Sequence, residues 1–266
     1  MPAFHIRQPT ALQVPIVVSV PHCGTAFPEE LVSHFDPKLI AAPDDTDWFV
    51  HELYDFVSDL GIDMIHAHYS RWVIDLNRDP QSKPLYTDGR IITDLCPSTT
   101  FLGEPLFVDR RGEVTADEIQ RRVQNYYLPY HQQLQQLLAA TKEKFGQVLL
   151  WDCHSIRQHV PTIRQDKFPD LILGNADGIS ASPGLIEAAL SSLEHSEYSV
   201  SHNHPFKGGY ITRAYGRPAE HVHALQLEMT KVNYMDDSEQ AYDRARAEKM
   251  RTLLKQTFER LIEMLR

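Results

Sequence analysis

The chain has 266 residues, 42% hydrophobic and 23% charged, and is therefore long enough to bury a sizeable core. Its formal net charge of -10 argues against general nucleic-acid binding, because neutralising phosphates requires a concentrated basic surface. No segment approaches the ~18 consecutive apolar residues of a membrane span, and the N-terminus lacks a charged start followed by an apolar stretch. We therefore expect a cytoplasmic protein of one domain over residues 1–266, with no nucleic-acid or membrane partner.

The three cysteines, Cys23, Cys96 and Cys153, indicate neither a disulfide framework nor a structural zinc site. Their number is odd, and no two of them have the CxxC spacing.

The first half of the chain alternates between short apolar strands and helices, the pattern of an α/β sheet. The segment "PIVVSVPHCG" predicts a buried strand, and "DTDWFVHELYDFVSDLG" predicts one amphipathic helix that ends at Gly61. Two further strands are predicted at "IDMIHA" and "RWVIDL". The irregular segment from Pro80 to Arg111 is long enough to be a functional loop, and it could close over a substrate.

The second half begins with a capping pattern, Thr115 with Glu118, which predicts a helix to about Lys144 with a bend at Pro129. Four strands are predicted after it, at "QVLLWDCH", "DLILGN", "YITRAY" and "HALQLEM". Two helices are predicted, at "SPGLIEAALSSLEH" and at the closing "SEQAYDRARAEKMRTLLKQTFERLIEMLR". The expected fold is α/β, with a mixed central sheet and helices on both faces. The closing helix suits either core packing or a subunit contact, so the oligomeric state is open.

Three predicted strands lead into residues that can bind a metal or move a proton, and open α/β sheets bind ligands at strand ends. His22 follows the first strand, Asp152 and His154 end the "LLWDCHS" strand, and Glu228 lies on "HALQLEM". Two imidazoles and a carboxylate with an open fourth position are typical of catalytic zinc. Either histidine alone suits a structural role equally well, but their shared position after buried strands favours a metal site.

A carboxylate ligand could come from "PDDTDW", where Asp44, Asp45 and Asp47 crowd the start of a predicted helix. Aspartates at a helix start have another explanation, because a capping side chain contributes about 0.5 to 2 kcal/mol and the helix dipole favours negative charge there. The spacing alone leaves both interpretations open.

Cys153 beside His154 suggests a thiol nucleophile with its base. Adjacent residues of a strand point to opposite faces, so these two side chains cannot form the required hydrogen bond. We expect Cys153 to be a core residue.

Asn77 and Arg78 follow the predicted strand "RWVIDL". Arginine binds carboxylates in bidentate fashion and the amide can add a hydrogen bond, so the pair suits an acidic substrate. A surface ion pair between Arg78 and Asp75 or Asp79 is the alternative.

Eight blocks along nearly the whole chain resemble the N-formylglutamate amidohydrolase family. The blocks are "SVPHCG", "DTDWFVHELYDF", "SRWVIDLNRDP", "LYTDGR", "LLWDCHSIR", "PDLILGN", "FKGGYITRAYG" and "ALQLEMTKVNYMDD". The resemblance implies hydrolysis of N-formyl-L-glutamate to formate and L-glutamate, the last step of one bacterial route of histidine degradation.

More distantly, that family is similar in fold to zinc carboxypeptidases and aspartoacylase, which implies a zinc-exopeptidase-like fold. Those enzymes hold zinc with a His-x-x-Glu pair and a later histidine, use a late glutamate as base and bind a substrate carboxylate through an Asn-Arg pair. By that resemblance, His22 and His154 would be zinc ligands, Glu228 the base, and Asn77 with Arg78 the carboxylate clamp. Arg71 is similar in placement to the arginine that polarises the scissile carbonyl.

The His-x-x-Glu pair is absent here, because Thr25 stands three residues after His22. The second ligand must come from elsewhere, and Asp47 is preferred over Asp45, whereas Glu29 is a poorer candidate in an exposed segment. Zinc is the expected metal, although manganese, iron or cobalt could occupy two histidines and an aspartate.

The implied mechanism is metal-assisted amide hydrolysis. Zinc would lower the pKa of a bound water to around 7, and Glu228 would pass its proton to the leaving nitrogen. Arg71 and the metal would stabilise the oxyanion, while Arg78 and Arg213 would pair with the two carboxylates of glutamate. Asp152 could orient a ligating histidine or cap a turn.

Three alternatives stay open: an amidohydrolase for other N-acyl amino acids, a non-catalytic binder of acidic amino-acid derivatives, and a family member whose metal site has degenerated. Glu228 favours an enzyme over a binder, because a binder of anions has little use for a carboxylate in its pocket. The missing glutamate after His22 is the reason for the third alternative.

Overall fold

The computed structural model describes residues 2–81, 93–109 and 114–266. Within them, one sheet contains all the strands: β1 (Phe4–Arg7), β2 (Ile16–Val20), β3 (Asp63–Ala67), β4 (Val148–Ile156), β5 (Leu171–Gly174), β6 (Val200–His202) and β7 (Val222–Thr230). Their spatial order is β1-β3-β2-β4-β7-β5-β6. Strands β3, β2, β4 and β7 are parallel, whereas β1 is antiparallel to β3 and β5 to β7. The predicted mixed sheet is confirmed.

Helices cover both faces of the sheet, as predicted. They are α1 (Glu29–Val32), α2 (Pro37–Ile40), α3 (Val50–Leu53), α4 (Ala116–Arg122), α5 (Leu128–Phe145), α6 (Pro183–Glu194), α7 (Tyr210–Tyr215) and α8 (Arg244–Met264). One core packs the sheet against α3, α6 and α8, and the other packs it against α4, α5 and α7. None of the helices in the described part of the chain combines the length and hydropathy that a bilayer crossing needs.

Strand β4 shows how the alternation of side chains separates the two cores. Leu149, Trp151 and Cys153 belong to the α8 side, whereas Val148 and Leu150 belong to the α5 side. Asp152 and His154 continue the α5-side series, because residues two apart on a strand share a face. Cys153 is fully buried in the core, as the alternation predicts.

Two predicted strands are wrong. "RWVIDL" is a series of turns, in which the Val73 N–H donates to Ser70 O and the Asp75 N–H donates to Leu95 O. "YITRAY" forms helix α7, whose Ile211 N–H is capped by the Asn77 side-chain carbonyl at 2.7 Å. Both segments contain apolar residues because the protein buries them: residues 71–76 are all buried, and so are Ile211 and Thr212 of α7. Burial in a turn or a helix therefore gave the same apolar composition as a buried strand.

The predicted helix from Asp45 to Leu60 is shorter than expected. The backbone N–H of Asp47 donates to His22 O at 2.9 Å, and Phe49 has a left-handed φ of 62°, so helix geometry begins only at Val50. A 3-10 segment, Asp55–Leu60, follows α3. No side chain in the described part of the protein caps α3, so the capping interpretation of the three aspartates is wrong.

Of the two long helical segments that were predicted, the first begins where it was predicted, at Thr115. The Thr115 side chain accepts a hydrogen bond from Glu118 N at 3.3 Å, and a π-helical turn, Val123–Tyr127, precedes Pro129 in the first turn of α5. The last helix begins at Arg244, later than predicted, where Asp243 caps it. Of the predicted loop from Pro80 to Arg111, residues 82–92, 110 and 111 lie outside the described residues, as does the block "LYTDGR".

Candidate active site

The carboxyl ends of β2, β4 and β7 lie side by side and bring the predicted site residues together. His154 and Glu228 are direct partners in the parallel pairing of β4 with β7, so their side chains share a face. His22 follows β2, two residues beyond its end. Asp152 is the β4 partner of Ser19, whose hydroxyl donates to Asp152 Oδ1 at 3.1 Å. The strand order therefore gathers residues from distant parts of the sequence at one edge of the sheet.

His22, Asp47 and His154 form a buried group whose possible ligand atoms all lie within 4.8 Å of one another. Asp47 Oδ2 is 3.2 Å from His154 Nδ1 and 3.7 Å from His22 Nδ1. The two imidazole rings are 4.8 Å apart. This is the one group of three or more potential metal ligands found among the described residues.

Each histidine of this group has a carboxylate at its opposite ring nitrogen. His22 Nε2 is 2.8 Å from Asp75 Oδ1, and His154 Nε2 is 3.0 Å from Asp152 Oδ2. In a neutral imidazole, donation of Nε2–H to a carboxylate leaves the Nδ1 lone pair free, and a carboxylate behind a ligating imidazole is a common arrangement in metal sites. His22 Nδ1 is buried and has no hydrogen-bond partner among the described residues. The group therefore fits a cation, which would use that unpaired nitrogen.

Burial and the neighbouring charges shift the pKa values of the group in opposite directions. Burial and Arg71 lower the pKa of His22 to about 4. Burial also disfavours the imidazolium of His154, but Asp152 and Asp47 outweigh it and hold the pKa of His154 well above its usual value. The pKa of Asp47 is lowered, because its contacts with His154 and His22 outweigh the cost of burial.

Asp75 is absent from the predicted site, where it appeared only as a possible surface partner of Arg78. It is fully buried, and it accepts hydrogen bonds from Asn77 N at 2.8 Å and from Arg71 Nη2 at 2.5 Å in addition to contacting His22. The arginines hold the pKa of Asp75 well below its usual range, against the cost of burial. The signal in the sequence was the polar series at positions 71, 75 and 77 within an otherwise apolar segment.

Glu228 lies half-buried on the wall of a cavity of about 300 Å³. Burial raises the pKa of Glu228 to about 8, with His154 opposing and Asp47 adding to the rise. A carboxyl group with a pKa near neutrality can both accept and return a proton at physiological pH.

Arg71, Asn77 and Arg78 line the same cavity. The guanidinium of Arg71 faces the Phe101 ring at 4.7 Å. Arg78 donates to Thr93 O and Thr93 Oγ1 at 2.9 and 2.8 Å. The Asn77 side chain is engaged inside the protein, where its amide group lies 2.9 Å from His154 Nε2 and its carbonyl caps α7.

Arg213 is not among the residues that line this cavity. Its Nε donates to Gly208 O at 2.9 Å. The neighbouring Gly209 does line the cavity, and a side chain there would overlap the amide of Asn77. Gly209 N–H donates to Gln226 Oε1 at 2.7 Å, so α7 begins against β7.

The other two aspartates of "PDDTDW" are bonded elsewhere. Asp45 accepts hydrogen bonds from Trp72 Nε1 at 2.9 Å and from Phe101 N at 3.0 Å. Asp44 forms an ion pair with Arg157, and Lys231 Nζ donates to its backbone carbonyl at 2.9 Å. These contacts anchor the segment on both sides, so that Asp47 alone of the three turns towards the histidines.

Comparisons with known proteins agree on one family over most of the chain. A family model described as N-formylglutamate amidohydrolase matches residues 14–235. Two curated proteins named N-formylglutamate deformylase, from Pseudomonas putida and Pseudomonas aeruginosa, are 40% and 42% identical, each match covering 94% of this chain and 93% of the relative. The crystal structure of N-formylglutamate amidohydrolase from Ralstonia eutropha JMP134 gives a TM-score of 0.82 at 26% identity, covering 100% of this chain and 98% of that one.

Proposed function

The chain belongs to the N-formylglutamate amidohydrolase family, and we propose that it hydrolyses N-formyl-L-glutamate to formate and L-glutamate with a divalent metal ion held by His22, Asp47 and His154. The convergence of these three side chains beside Glu228, on the wall of a cavity that Arg71 and Arg78 also line, is the observation that carries the proposal. The family resemblance also implies a place at the end of histidine degradation, which stays a prediction.

Zinc suits the group best, since two imidazoles and one carboxylate leave a fourth position open, and other divalent transition metals share these ligands. When bound, such an ion supplies Lewis-acid polarisation of water and of the formyl carbonyl near neutral pH. Asp75 and Asp152 would accept the Nε2–H of His22 and His154, which is the tautomer that presents Nδ1 to a metal.

Glu228 is proposed to move the proton. It takes one proton from the attacking water as the C–O bond forms, and it gives that proton to the glutamate nitrogen as the C–N bond breaks. Its position beside His154 in the strand pairing puts it next to the proposed ligands without making it one of them.

Arg71 is proposed to stabilise the oxyanion that develops on the formyl oxygen. Its guanidinium is held by Asp75 on one side and lies against Phe101 on the other, so it is fixed before substrate arrives. Preorganised charge of this kind costs no reorganisation during the reaction.

Arg78 is the proposed partner of a substrate carboxylate, because it lines the cavity and is close enough to solvent to be reached. Asn77 stays a candidate for the same clamp, although its amide is already bonded inside the protein. Contact between Arg213 and substrate also stays a prediction, and it would require Arg213 to reach a cavity that it does not line.

The test is formate release by the purified protein from N-formyl-L-glutamate, compared with acetate release from N-acetyl-L-glutamate. We expect formate release at a kcat/KM at least tenfold above that of the acetyl substrate. Preference for the acetyl substrate would indicate a different N-acyl amino-acid amidohydrolase, and binding without turnover would indicate a binding protein. A single domain over residues 1–266, a zinc-exopeptidase-like fold and a cytoplasmic location stay predictions.

A further inference from the structure

A second cluster of histidines lies at the β1 edge of the sheet. His5 is on β1, His66 is on β3, His68 follows β3, and His51 is on α3. His5 and His66 are direct partners in the antiparallel pairing, and His68 lies two residues beyond His66, so all three project to one face. The strand register therefore assembles the cluster.

The four rings contact one another in sequence. His51 stacks on His66 at 5.0 Å, and His66 stacks on His5 at 5.2 Å. His5 meets His68 edge to face at 5.0 Å, with His5 Nε2 only 3.0 Å from His68 Nδ1. A nitrogen of His5 on β1 and a nitrogen of His68, just after β3, are therefore within hydrogen-bond distance.

This cluster is separate from the candidate active site. None of the four histidines lines the cavity that contains His154. His66 lies on the Met64 side of β3, which belongs to the α8-side core, whereas His154 lies on the α5 side. Cys23, whose Sγ is 3.9 Å from His66 Nδ1, is fully buried beside the cluster, and burial raises the pKa of its thiol.

Three imidazoles of the cluster, those of His51, His66 and His68, have lowered pKa values, which leaves their lone pairs available at neutral pH. Burial and then the two neighbouring histidines lower the pKa of His66 to about 4. Burial also lowers the pKa values of His51 and His68, and Arg7 and His5 further disfavour a proton on His51. Protons therefore compete weakly for these nitrogens.

The spacing of His5 Nε2 and His68 Nδ1 matches a pair of metal ligands. Two nitrogens bound at about 2.0 to 2.1 Å and at angles of 90° to 109° lie roughly 2.9 to 3.4 Å apart. The observed 3.0 Å is within that range. His5 is exposed, so its ring can turn the few tens of degrees that aim both lone pairs at one ion.

We propose that His5 and His68 chelate a second divalent transition-metal ion at this edge of the sheet, with water completing its coordination. Imidazole ligands favour Cu²⁺, Ni²⁺ and Zn²⁺ over Mg²⁺ and Ca²⁺. Without metal, the two nitrogens share one hydrogen. With metal, His5 carries its hydrogen on Nδ1 and His68 on Nε2, so the tautomers change and no proton is lost.

Copper(II) alone is the probe, because electron paramagnetic resonance resolves the imidazole nitrogens bound to it. Purified full-length protein is titrated with copper(II), and the same titration is run on His5→Gln, His68→Gln, His22→Gln and, as the matched control at an exposed histidine, His34→Gln. We expect a copper signal with two imidazoles that survives His22→Gln and His34→Gln and weakens at least about tenfold in His5→Gln and His68→Gln, because one imidazole no longer assists the other.

Equal copper affinity in wild type, His5→Gln and His68→Gln would overturn the proposal, as would a copper signal that His22→Gln alone removes. The second outcome would leave the proposed catalytic site intact. Conversely, failure of the proposed function would leave the His5-dependent signal unchanged, so the two proposals are tested separately. Formate release by His5→Gln without copper is expected to equal that of the wild type.

Discussion

Asp75 connects more of the candidate site than any of the proposed ligands does. One buried carboxylate bonds His22, Arg71 and the Asn77 backbone, and lies 3.6 Å from Arg78. It therefore orients a proposed metal ligand and both cavity arginines at once. Removing the negative charge of Asp75 would leave the positive charges of Arg71 and Arg78 without the carboxylate that balances them.

Asp75→Asn is expected to lower the affinity for zinc roughly 10- to 100-fold, because the amide orients and polarises His22 less effectively. Zinc affinity can be measured by competition with a chromogenic chelator. Asp63→Asn is the matched control. Asp63 is also buried, but it is the first residue of β3 and bonds Gln13, not a residue of the candidate site. Equal zinc affinity in Asp75→Asn and wild type would contradict the orienting role.

Glu228→Gln is expected to lower kcat for N-formyl-L-glutamate on the order of 100- to 10,000-fold, because the amide cannot move a proton. KM and metal content should change little, since Glu228 is not one of the three proposed ligands. Steady-state kinetics with elemental analysis check both statements. A variant that retains wild-type kcat would remove Glu228 from the proposed role.

The residue types and strand ends were enough to predict His22, His154 and Glu228 as neighbours. They were not enough to choose among the aspartates, because the choice of Asp47 depends on the bonds that Asp44 and Asp45 make with Arg157 and Trp72. Those partners are far away in the sequence, so no local pattern indicates them.

Among the secondary-structure elements, the buried strands were predictable from the sequence. The turns at residues 71–76 and helix α7, which both lie next to the cavity, were not. Runs such as "VLLW" in β4 are apolar on both faces because both faces are covered. The turns over "RWVIDL" and the helix α7 depend on bonds with distant segments, including Asn77 with Ile211. Tertiary hydrogen bonds outweigh the strand propensity of their β-branched and aromatic residues.

The start of α7 is expected to tolerate no side chain at Gly209. A Cβ there would lie 2.5 Å from Asn77 Cγ and would displace the amide that contacts His154. Gly209→Ala should therefore lower kcat/KM at least about tenfold, because displacements of about 1 Å cost on the order of 100-fold.

Gly184→Ala is the matched control for Gly209→Ala. Gly184 is in the first turn of α6, and an added Cβ would meet only Met264 Cε at 3.6 Å. Its kcat/KM should be that of wild type, with unfolding free energy equal or higher by up to about 1 kcal/mol. Equal kinetics in both alanine variants would contradict the packing account.

At the scale of the whole molecule, the two cores bury groups whose protonation is linked to folding. His131 on α5 is packed between Tyr127 and Tyr215, with ring distances of 4.1 and 5.9 Å, and its Nε2 bonds Leu76 O at 2.9 Å. Burial lowers the pKa of His131 to about 4. The folded protein therefore holds a neutral imidazole that the unfolded chain protonates near pH 6.5.

The folded state loses free energy of unfolding as the pH falls from 6.5 towards 4, because over this range the unfolded chain protonates His131 and the folded protein does not. Above pH 6.5 this contribution of neutral His131 is fully present. The loss amounts to roughly 3 kcal/mol. His131→Gln should show a shallower decrease in unfolding free energy over this window, measured by denaturant titration with chelator present. His34→Gln is the control, and an unchanged slope in His131→Gln would contradict the linkage.

The class of fold followed from the alternation of strands and helices, and the mixed sheet with two helical layers confirms it. The edge strands β1 and β6 escaped prediction because they are short and partly exposed, so they lack the apolar runs of β2 and β4. The order of strands also could not be read from the chain, although it is this order that brings β2, β4 and β7 together.

The metal dependence of formate release from N-formyl-L-glutamate is the sharpest test of the proposed function. The purified protein is assayed as isolated, after removal of metal by a chelator, and after zinc is added back, with His22→Gln assayed in parallel. We expect activity that is lost on chelation, restored by zinc in the wild type and not restored in His22→Gln. Full activity in protein shown by elemental analysis to be free of metal would contradict this expectation.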